Sequence, residues 1–442
     1  MSNTFYIREW GKLVLGSDNQ QNSVDELILN YQAWSFLAEF ASSQDKEHAY
    51  LAFVRKEVLQ VRNFVGIIST PDGTQIEILP KTSDNDLDDA GLLKSRTLLL
   101  KMLRAVDGVF PIETTHANLT LEKMPLPEIL ISFFLQQLAG VVRKGIRKDY
   151  QRIEAEEKFL KGQLQVAKQL RQPPGKQHLF QIEYDVFSEN RPENRLIHSA
   201  LISVSKWTQS AVNQKRSREL RFAFDAVPES MDYATDFSQW RTSRDMIYYQ
   251  PLLAWLKLIL NQQSPFAVKD KHAGISFLFP MEMVFEKYVY QKLVRTLPHP
   301  FVLKEQVSSL SLAKQNDKPV FQLKADLAIY NQQTKTYCAI LDTKWKRINQ
   351  NQTYENGYED RKSGISQSDM YQMFAYGHKY LKGNGRLMLI YPKYSGFTGL
   401  LDTFQLSENL YLDVVPFCLE TEKLDLHPLK IMDWLRVNNL TY

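Results

Sequence analysis

Two strand-like runs joined by a short polar turn constrain the fold of this 442-residue chain more than any other segment. The runs are FQLKADLAIY and YCAILDTKW, and both contain the apolar and β-branched residues that favour strands. Antiparallel pairing of the two runs would place Asp326 beside Asp342. Because residues two apart on a strand share a face, Lys344 would project next to Asp342. We therefore predict that Asp326, Asp342 and Lys344 lie together at one rim of a sheet.

Two carboxylates and a lysine at one rim supply what the hydrolysis of a phosphodiester requires. Carboxylate oxygens are hard ligands that suit Mg²⁺, which also keeps several waters. The metal polarises the phosphate and acidifies its bound water, and an ammonium stabilises developing negative charge or positions the nucleophile. We predict Asp326 and Asp342 as ligands of Mg²⁺, with Mn²⁺ as a substitute, and Lys344 as the catalytic lysine.

The pattern Asp…Asp-x-Lys is weak by itself, because an ordinary ion pair between Asp342 and Lys344 at a strand end has the same spacing. The apolar stretch CAIL directly before it favours a buried site. In the following helix, Gln372 and Tyr376 are four residues apart and share one face, although Tyr376 would also suit a core position. Glu286 lies on an amphipathic helix before the strands, where a plain surface glutamate is the alternative.

The chain is too long for one ordinary core, so two or three domains are expected. Strand-like runs dominate the first segment, in which the pattern predicts one opening strand from Phe5 to Leu15 and a helix from Val24 to Ala41. The last segment holds a helix, a run of strands, a second helix and a further strand, which indicates a mixed sheet flanked by helices. We predict a multidomain α+β chain with a β-rich domain at residues 1–120, a mainly helical region at 121–270 and a mixed-sheet α/β domain at 271–442.

Charge and composition exclude several classes of protein. The formal charge of +4 is small for this length, and the basic clusters at 143–152 and 215–221 suit either phosphate contacts or solvated helix faces. No segment reaches the roughly 20 apolar residues of a membrane span, and the N-terminus does not resemble a secretory signal. With Cys338 and Cys418 in apolar contexts, we expect a cytoplasmic protein with buried free thiols and no membrane partner.

The arrangement of Asp326 and Asp342-Thr343-Lys344 resembles the core of the PD-(D/E)xK nuclease superfamily. Ala325 stands before the first aspartate where that core often has proline, a departure that leaves the metal ligand intact. Gln372 and Tyr376 resemble the Gln-x-x-x-Tyr element of the RecB-like branch, which lies beside the active site. Glu286 stands where the superfamily often supplies an additional acidic residue.

Over a longer range, several separated motifs resemble the McrC family in the same order. They are VGIISTPDGTQIEILPKT (residues 65–82), RPENRLI (191–197), MVFEKYV (283–289), KADLAIY with ILDTKWK, and SDMYQMFAYG. The resemblance spans roughly Phe5 to Pro392. It implies the nuclease subunit of a modification-dependent restriction system of the 5-methylcytosine type, a class of antiviral defence, which cuts double-stranded DNA with Mg²⁺.

The same resemblance implies a partner, McrB, which is a hexameric AAA+ GTPase that recognises methylated DNA and translocates. The N-terminal segment would dock on that hexamer and stimulate nucleotide hydrolysis, with the nuclease domain outside. Consistent with a separate motor, the chain contains no GxxxxGK[ST] phosphate loop. Two alternatives stay open: a stand-alone RecB-like nuclease, and a non-catalytic activator of a AAA+ motor.

Overall fold

The computed structural model describes residues 4–16, 22–43, 49–81, 89–106, 124–260, 277–350, 363–426 and 431–436. Contacts divide the chain into two compact units. Unit 1 consists of Met1–Asp107 with Leu278–Tyr442, and unit 2 of Gly108–Phe277. The three-part division at 1–120, 121–270 and 271–442 stays a prediction, and its two internal boundaries lie outside the described residues.

Two four-stranded sheets form the N-terminal part of unit 1. The first has the order β1-β7-β6-β11, and the second has the order β3-β2-β5-β4. In each, one parallel pair (β1 with β7, β2 with β3) adjoins antiparallel neighbours. The strands are β1 Thr4–Arg8, β2 Lys12–Leu15, β3 Glu26–Leu29, β4 Leu51–Arg55, β5 Val58–Val61, β6 Phe64–Ser69, β7 Gln75–Leu79 and β11 Phe277–Pro280.

The chain turns sharply between β1 and β2. The sequence predicts one strand from Phe5 to Leu15, but the structure has two strands in two different sheets. Trp10 adopts a positive φ of 67°. A Cβ atom at Gly11 would lie 2.5 Å from Ile7 Cγ1, so glycine is required directly after the turn. The turn leaves Glu9 buried at the end of β1.

The predicted helix from Val24 to Ala41 is wrong in its first turns. Glu26–Leu29 instead forms β3, which pairs in parallel with β2. The helix begins at Tyr31, because Asn30 Oδ1 accepts a hydrogen bond from Ala33 N at 2.8 Å and caps the first turn.

A seven-stranded mixed sheet forms the C-terminal part of unit 1. Its order is β12-β15-β16-β17-β19-β18, with β20 paired to β19. The strands β16, β17 and β19 are mutually parallel, and the remaining pairs are antiparallel. The strands are β12 Phe301–Val307, β15 Ala325–Asn331, β16 Thr336–Thr343, β17 Asn384–Pro392, β18 Phe404–Ser407, β19 Asn409–Cys418 and β20 Lys423–Leu424.

A separate two-stranded hairpin lies before β16, where the sequence predicts two strand-like runs, FVLKEQVSSLSL and VFQLKADLAIY. It consists of β13 (Ser311–Gln315) and β14 (Lys318–Gln322). Both residues of its turn, Asn316 and Asp317, have positive φ angles, as a tight hairpin turn requires. The structure thus divides each predicted run in two.

The described helices of unit 1 include one that packs on the seven-stranded sheet and carries the predicted Gln-x-x-x-Tyr element. Their bounds are α1 Tyr31–Ser43, α2 Asp89–Leu103, α9 Met281–Leu293, α10 Gln367–Tyr380 and α11 Ile431–Arg436. A capping box starts α10: Ser366 Oγ accepts from Asp369 N, and the Asp369 side chain accepts from Ser366 N. Met373, Tyr376 and Tyr380 face the core of that sheet.

Unit 2 combines helices with a three-stranded antiparallel sheet in the order β8-β10-β9. Two short 3-10 helices, Pro174–Lys176 and Arg244–Met246, lie between its main elements. The other elements are α3 Leu126–Lys144, β8 Asp149–Glu157, β9 Gln163–Leu164, α4 Val166–Leu170, β10 Phe180–Ser188, α5 Pro192–Trp207, α6 Ala211–Phe222, α7 Tyr233–Ser238 and α8 Gln250–Ile259. The coarse prediction of a mixed α and β multidomain chain is therefore confirmed.

Within unit 2, α3 is long and apolar enough to cross a membrane by length and composition alone. Most of that helix is buried inside the unit, and core helices pass the same test. The basic cluster at 143–152 forms ion pairs inside the unit, with Lys148 on Glu189 and Arg152 on Glu183. The cluster does not form one helix face, because the helix ends at Lys144 and Arg152 lies on β8.

Candidate active site

Adjacent antiparallel strands bring the two predicted aspartates together. β15 pairs with β16 so that Leu327 lies opposite Leu341, which places Asp326 and Asp342 at the same end of the pair. Asp326 Oδ2 accepts two hydrogen bonds at 2.9 Å, one from Thr343 N and one from Thr343 Oγ1. The residue between the second aspartate and the lysine thus fixes the first aspartate.

Asp342 is the most deeply buried member of the site, with no exposed surface. Its Oδ1 accepts no hydrogen bond from the described residues. Lys344 Nζ lies 2.6 Å from Oδ2 as a close ion pair. Burial and the negative charge of Asp326 raise the pKa of Asp342 well above its ordinary value, against the opposing effect of Lys344. A buried carboxylate with one oxygen still without a partner favours the binding of a further cation.

Lys344 is held at both ends of the residue. Its backbone N–H donates to Ile390 O on β17 at 2.9 Å, and its ammonium donates to Gln372 Oε1 at 3.0 Å. Burial lowers the pKa of this ammonium, but the carboxylates of Asp342 and Asp326 outweigh it and raise the pKa. The lysine therefore stays charged.

Gln372 and Tyr376 form a short chain of hydrogen bonds behind that ammonium. Gln372 Nε2 donates to Tyr376 Oη at 2.8 Å, and Tyr376 Oη donates to Lys324 O at 2.5 Å. Burial raises the pKa of Tyr376 to about 12, so the hydroxyl keeps its proton. The structure places both predicted residues at the site, where they orient Lys344 from the side of α10.

Glu286 approaches from α9. Gln306 donates a hydrogen bond from Nε2 to Glu286 Oε1. Burial first, and then the charge of Asp326, raise the pKa of Glu286 to about 7. The carboxylate is partly buried on the Asp326 side of the site rather than on an open surface.

Asp326 and Asp342 are the side chains that could hold a metal here. No group of three or more His, Cys, Asp or Glu residues in the described ranges is close enough to form a cation cage. Mg²⁺ does not need one, since it binds through one or two carboxylates and keeps waters. The buried Oδ1 of Asp342, which has no hydrogen-bond partner among the described residues, fits that requirement.

Sequence reasoning missed a contact directly after the lysine. Trp345 Nε1 donates to Glu9 Oε1 at 2.6 Å, across 336 residues of chain. Lys81 N donates to the same oxygen at 2.8 Å. A cleft of about 240 Å³ opens here, lined also by Trp10 and Arg347. In the sequence, Arg8-Glu9-Trp10 fits a partner contact or an N-terminal strand that packs its Trp, because Trp and Arg often anchor interfaces.

Residues 59–392 match the family model described as the McrBC 5-methylcytosine restriction system component. The chain belongs to the McrBC family. The match covers three quarters of the sequence and includes all six predicted site residues of this McrBC chain, from Glu286 to Tyr376, but not Glu9. The resemblance drawn from separated sequence motifs is thereby confirmed. No curated protein matches the chain.

Two solved structures are similar to this McrBC chain. The first is a Thermococcus gammatolerans half-complex of McrB AAA+ hexamers with bound McrC, at 17% identity and a TM-score of 0.59, covering 99% of this chain and 100% of the matched one. The second is the McrBC complex of the same organism, at 20% identity, with 69% and 90% coverage and a TM-score of 0.46. The first supports a common fold, and the second is too distant to support an argument.

Proposed function

We propose that this McrBC-family chain is a Mg²⁺-dependent endonuclease subunit that hydrolyses phosphodiesters of double-stranded DNA. The observation that carries the proposal is the cluster of Asp326, Asp342 and Lys344 on adjacent strands. A buried oxygen of Asp342, Oδ1, has no hydrogen-bond partner among the described residues and lies beside a fixed ammonium. On this reading the C-terminal sheet and its helices are a PD-(D/E)xK domain, corresponding to residues 271–442.

Asp326 and Asp342 would hold the metal, which supplies Lewis-acid activation of the phosphate and its attacking water when bound. Thr343 keeps Asp326 in place through two hydrogen bonds. Lys344 is positioned to stabilise the negative charge that develops on the phosphate. Gln372 and Tyr376 hold the ammonium, and Glu286 adds an acidic group on the Asp326 side.

The partner in this proposal is a AAA+ GTPase hexamer of the McrB type, and the DNA is methylated. The family description names a 5-methylcytosine restriction system, and the similar fold was found in an assembly of McrB hexamers with bound McrC. Docking through residues 1–120 would stimulate the partner's nucleotide hydrolysis. The site of action is the cytoplasm.

The test is cleavage of methylated plasmid DNA by the chain together with a AAA+ GTPase of the McrB type, with GTP and Mg²⁺. We expect Asp342→Asn to abolish cutting while nucleotide hydrolysis by the partner is retained. Asp413→Asn is the matched control, because Asp413 is equally buried on β19 of the same sheet but bonds to Thr403 and Trp434.

Unchanged cutting by Asp342→Asn would refute the catalytic assignment and leave the non-catalytic activator. Cutting by the purified chain alone, without partner or nucleotide, would instead favour a stand-alone RecB-like nuclease.

A further inference from the structure

We infer that Glu9, at the end of the first strand, is a positioning residue for DNA cleavage that acts through Trp345 on the catalytic Lys344. This rests on the proposed nuclease function. Among the described residues, Glu9 forms no hydrogen bond with Asp326, Asp342 or Lys344. Its role would be to fix the segment that leaves the catalytic strand.

The Glu9 carboxylate is built into the structure rather than exposed to solvent. Glu9 is only 1% exposed, and its Oε1 accepts hydrogen bonds from Trp345 Nε1 and from Lys81 N. The backbone is fixed as well, since Glu9 N donates to Leu79 O at 2.9 Å. Oε2 has no hydrogen-bond partner among the described residues. A carboxylate buried with an unused oxygen costs folding free energy, so its retention needs a reason beyond packing.

Trp345 connects Glu9 to the candidate active site in two ways, through its own backbone and through a ring contact. Trp345 follows Lys344 in sequence, so the orientation of its indole constrains the backbone from which the catalytic ammonium projects. The same ring also packs against Phe285, with 5.1 Å between ring centroids. Phe285 in turn precedes Glu286 on α9. Loss of the indole hydrogen bond would therefore loosen both the backbone next to Lys344 and the part of α9 that carries Glu286.

A second hydrogen bond attaches the segment after Lys344 to the residues that follow β7. Arg347 Nε donates to Lys81 O at 3.1 Å, and Lys81 is the residue whose N–H donates to Glu9. The segment from Lys344 to Arg347 is thus attached to the end of β1 and to the residues after β7. Catalysis is sensitive to such attachments, because a misplacement of about 1 Å can lower a rate about a hundredfold.

The experiment compares variants of the full chain in the partner-dependent cleavage assay. Glu9→Ala removes the acceptor, Glu9→Gln keeps an oxygen that can accept both bonds, and Trp345→Phe removes the indole N–H while keeping an aromatic ring against Phe285. The matched control is Glu77→Ala, since Glu77 is a buried glutamate on the neighbouring strand β7 that pairs with Arg96.

We expect Glu9→Ala and Trp345→Phe each to lower kcat about tenfold or more, with KM for DNA within about twofold of wild type. The double variant should be no worse than the poorer single one, because both remove the same hydrogen bond. Glu9→Gln should restore most of the rate. Glu77→Ala should lower thermal stability without this loss of kcat.

A second measurement reads the hydrogen bond directly and does not depend on cleavage. In ¹⁵N-indole NMR spectra, the resonance missing in Trp345→Phe identifies Trp345. It should shift and exchange faster with water in Glu9→Ala, and return toward its wild-type position in Glu9→Gln.

A wild-type rate in Glu9→Ala with a displaced Trp345 resonance would overturn the positioning role and leave the nuclease intact. Equal kcat losses in Glu9→Ala and Glu77→Ala would also overturn it, since both would then reflect weakened folding. Failure of the wild-type complex to cut DNA would instead overturn the proposed function, and the role of Glu9 in cleavage with it.

Discussion

Lys344 has three contacts of different kinds, and each restricts a different part of the residue. Ile390 holds its backbone, Asp342 attracts its charge, and Gln372 accepts a hydrogen bond that gives the ammonium a direction. An unrestrained lysine would lose about 2 kcal/mol of rotamer entropy on being held. Because these contacts already restrain the ammonium, the proposed cleavage would require less ordering of Lys344 in its transition state.

Removal of the Tyr376 hydroxyl should weaken this restraint without removing a catalytic group. Tyr376→Phe breaks the bonds to Gln372 and Lys324, so we expect kcat to fall about threefold to tenfold. Lys344→Ala should cost about a hundredfold or more. Single-turnover cleavage with the partner measures both. Tyr337→Phe is the control, because that hydroxyl is on the same sheet and contacts only Ser309 among the hydrogen bonds described. A wild-type rate for Tyr376→Phe would show that the Tyr376 hydroxyl does not help to hold Lys344.

Glu9 should make stability depend on pH. Burial raises its folded-state pKa to about 7 from an ordinary 4.5, so the folded protein binds more protons than the unfolded chain between those values. Its contribution is therefore complete below about pH 4.5 and is lost as the pH rises through about 7, by an amount of about 3 kcal/mol. Chemical unfolding of wild type and Glu9→Gln from pH 5 to 8 measures it. A constant difference between the two proteins would contradict the raised pKa.

The residues of the site differ in how far the sequence could predict them. Asp326, Asp342 and Lys344 follow from strand alternation and one turn, which are local properties. Glu9 could not be predicted in the same way, because its partner Trp345 is 336 residues away and no periodicity links them. The only signal was a Trp-containing segment beside an acidic residue, which fits an interface equally well.

At the level of elements, α10 approaches the sheet so closely that one position excludes any side chain. A Cβ atom at Gly377 would lie 2.4 Å from Leu410 Cδ2 and 3.1 Å from Leu387 Cδ1. Both leucines are fully buried, so they have little room to move. The glycine therefore sets the distance between the helix and strands β17 and β19.

Gly377→Ala should consequently destabilise unit 1 by about 1–3 kcal/mol, despite the better helix propensity of alanine. Gly140→Ala on α3 is the matched control, because the Cβ that it would add meets no described atom within 4 Å beyond its chain neighbours and the helix's own backbone. That change should stabilise unit 2 by about 0.5–1 kcal/mol. Denaturant unfolding curves decide between them, and stabilisation by both substitutions would show that α10 packs less tightly than described.

Strand patterns in the sequence predicted strands in the regions of β15, β16 and β17. They did not separate β12 from β13, or β14 from β15. The hairpin β13–β14 is largely exposed, so no buried face marks where it leaves the sheet. Its turn residues, Asn316 and Asp317, were the available signal, since adjacent positive φ angles favour such residues. Hydrophobic alternation alone does not report a change of sheet.

For the whole molecule, the most consequential feature is that unit 1 is built from both parts of the chain that flank unit 2. Strand β6 of the first part adjoins β11 of the second, and Met281 N donates to Asn63 O at 3.0 Å at the start of α9. The predicted catalytic domain at 271–442 is thus continuous in packing with the N-terminal sheets.

A fragment of residues 278–442 alone should therefore aggregate or fold poorly, because it lacks the strands that pair with β11 and the Glu9 contact to Trp345. A chain in which residues 1–107 are joined to 278–442 by a Gly/Ser linker should give a cooperative unfolding transition. Calorimetry and gel filtration of the two proteins test this. Independent folding of the short fragment would show that the N-terminal sheets are dispensable for the C-terminal part.

Ribosomal synthesis gives this two-part construction a temporal meaning. The N-terminal strands leave the ribosome first, but the segment that completes their unit follows only after Gly108–Phe277 has been translated. At typical elongation rates of about 5–20 residues per second, that interval is on the order of ten to thirty seconds. Glu9 is made near the beginning of translation and its indole partner only after more than three quarters of the 442 residues, so the proposed cutting centre cannot be complete in a shorter nascent chain.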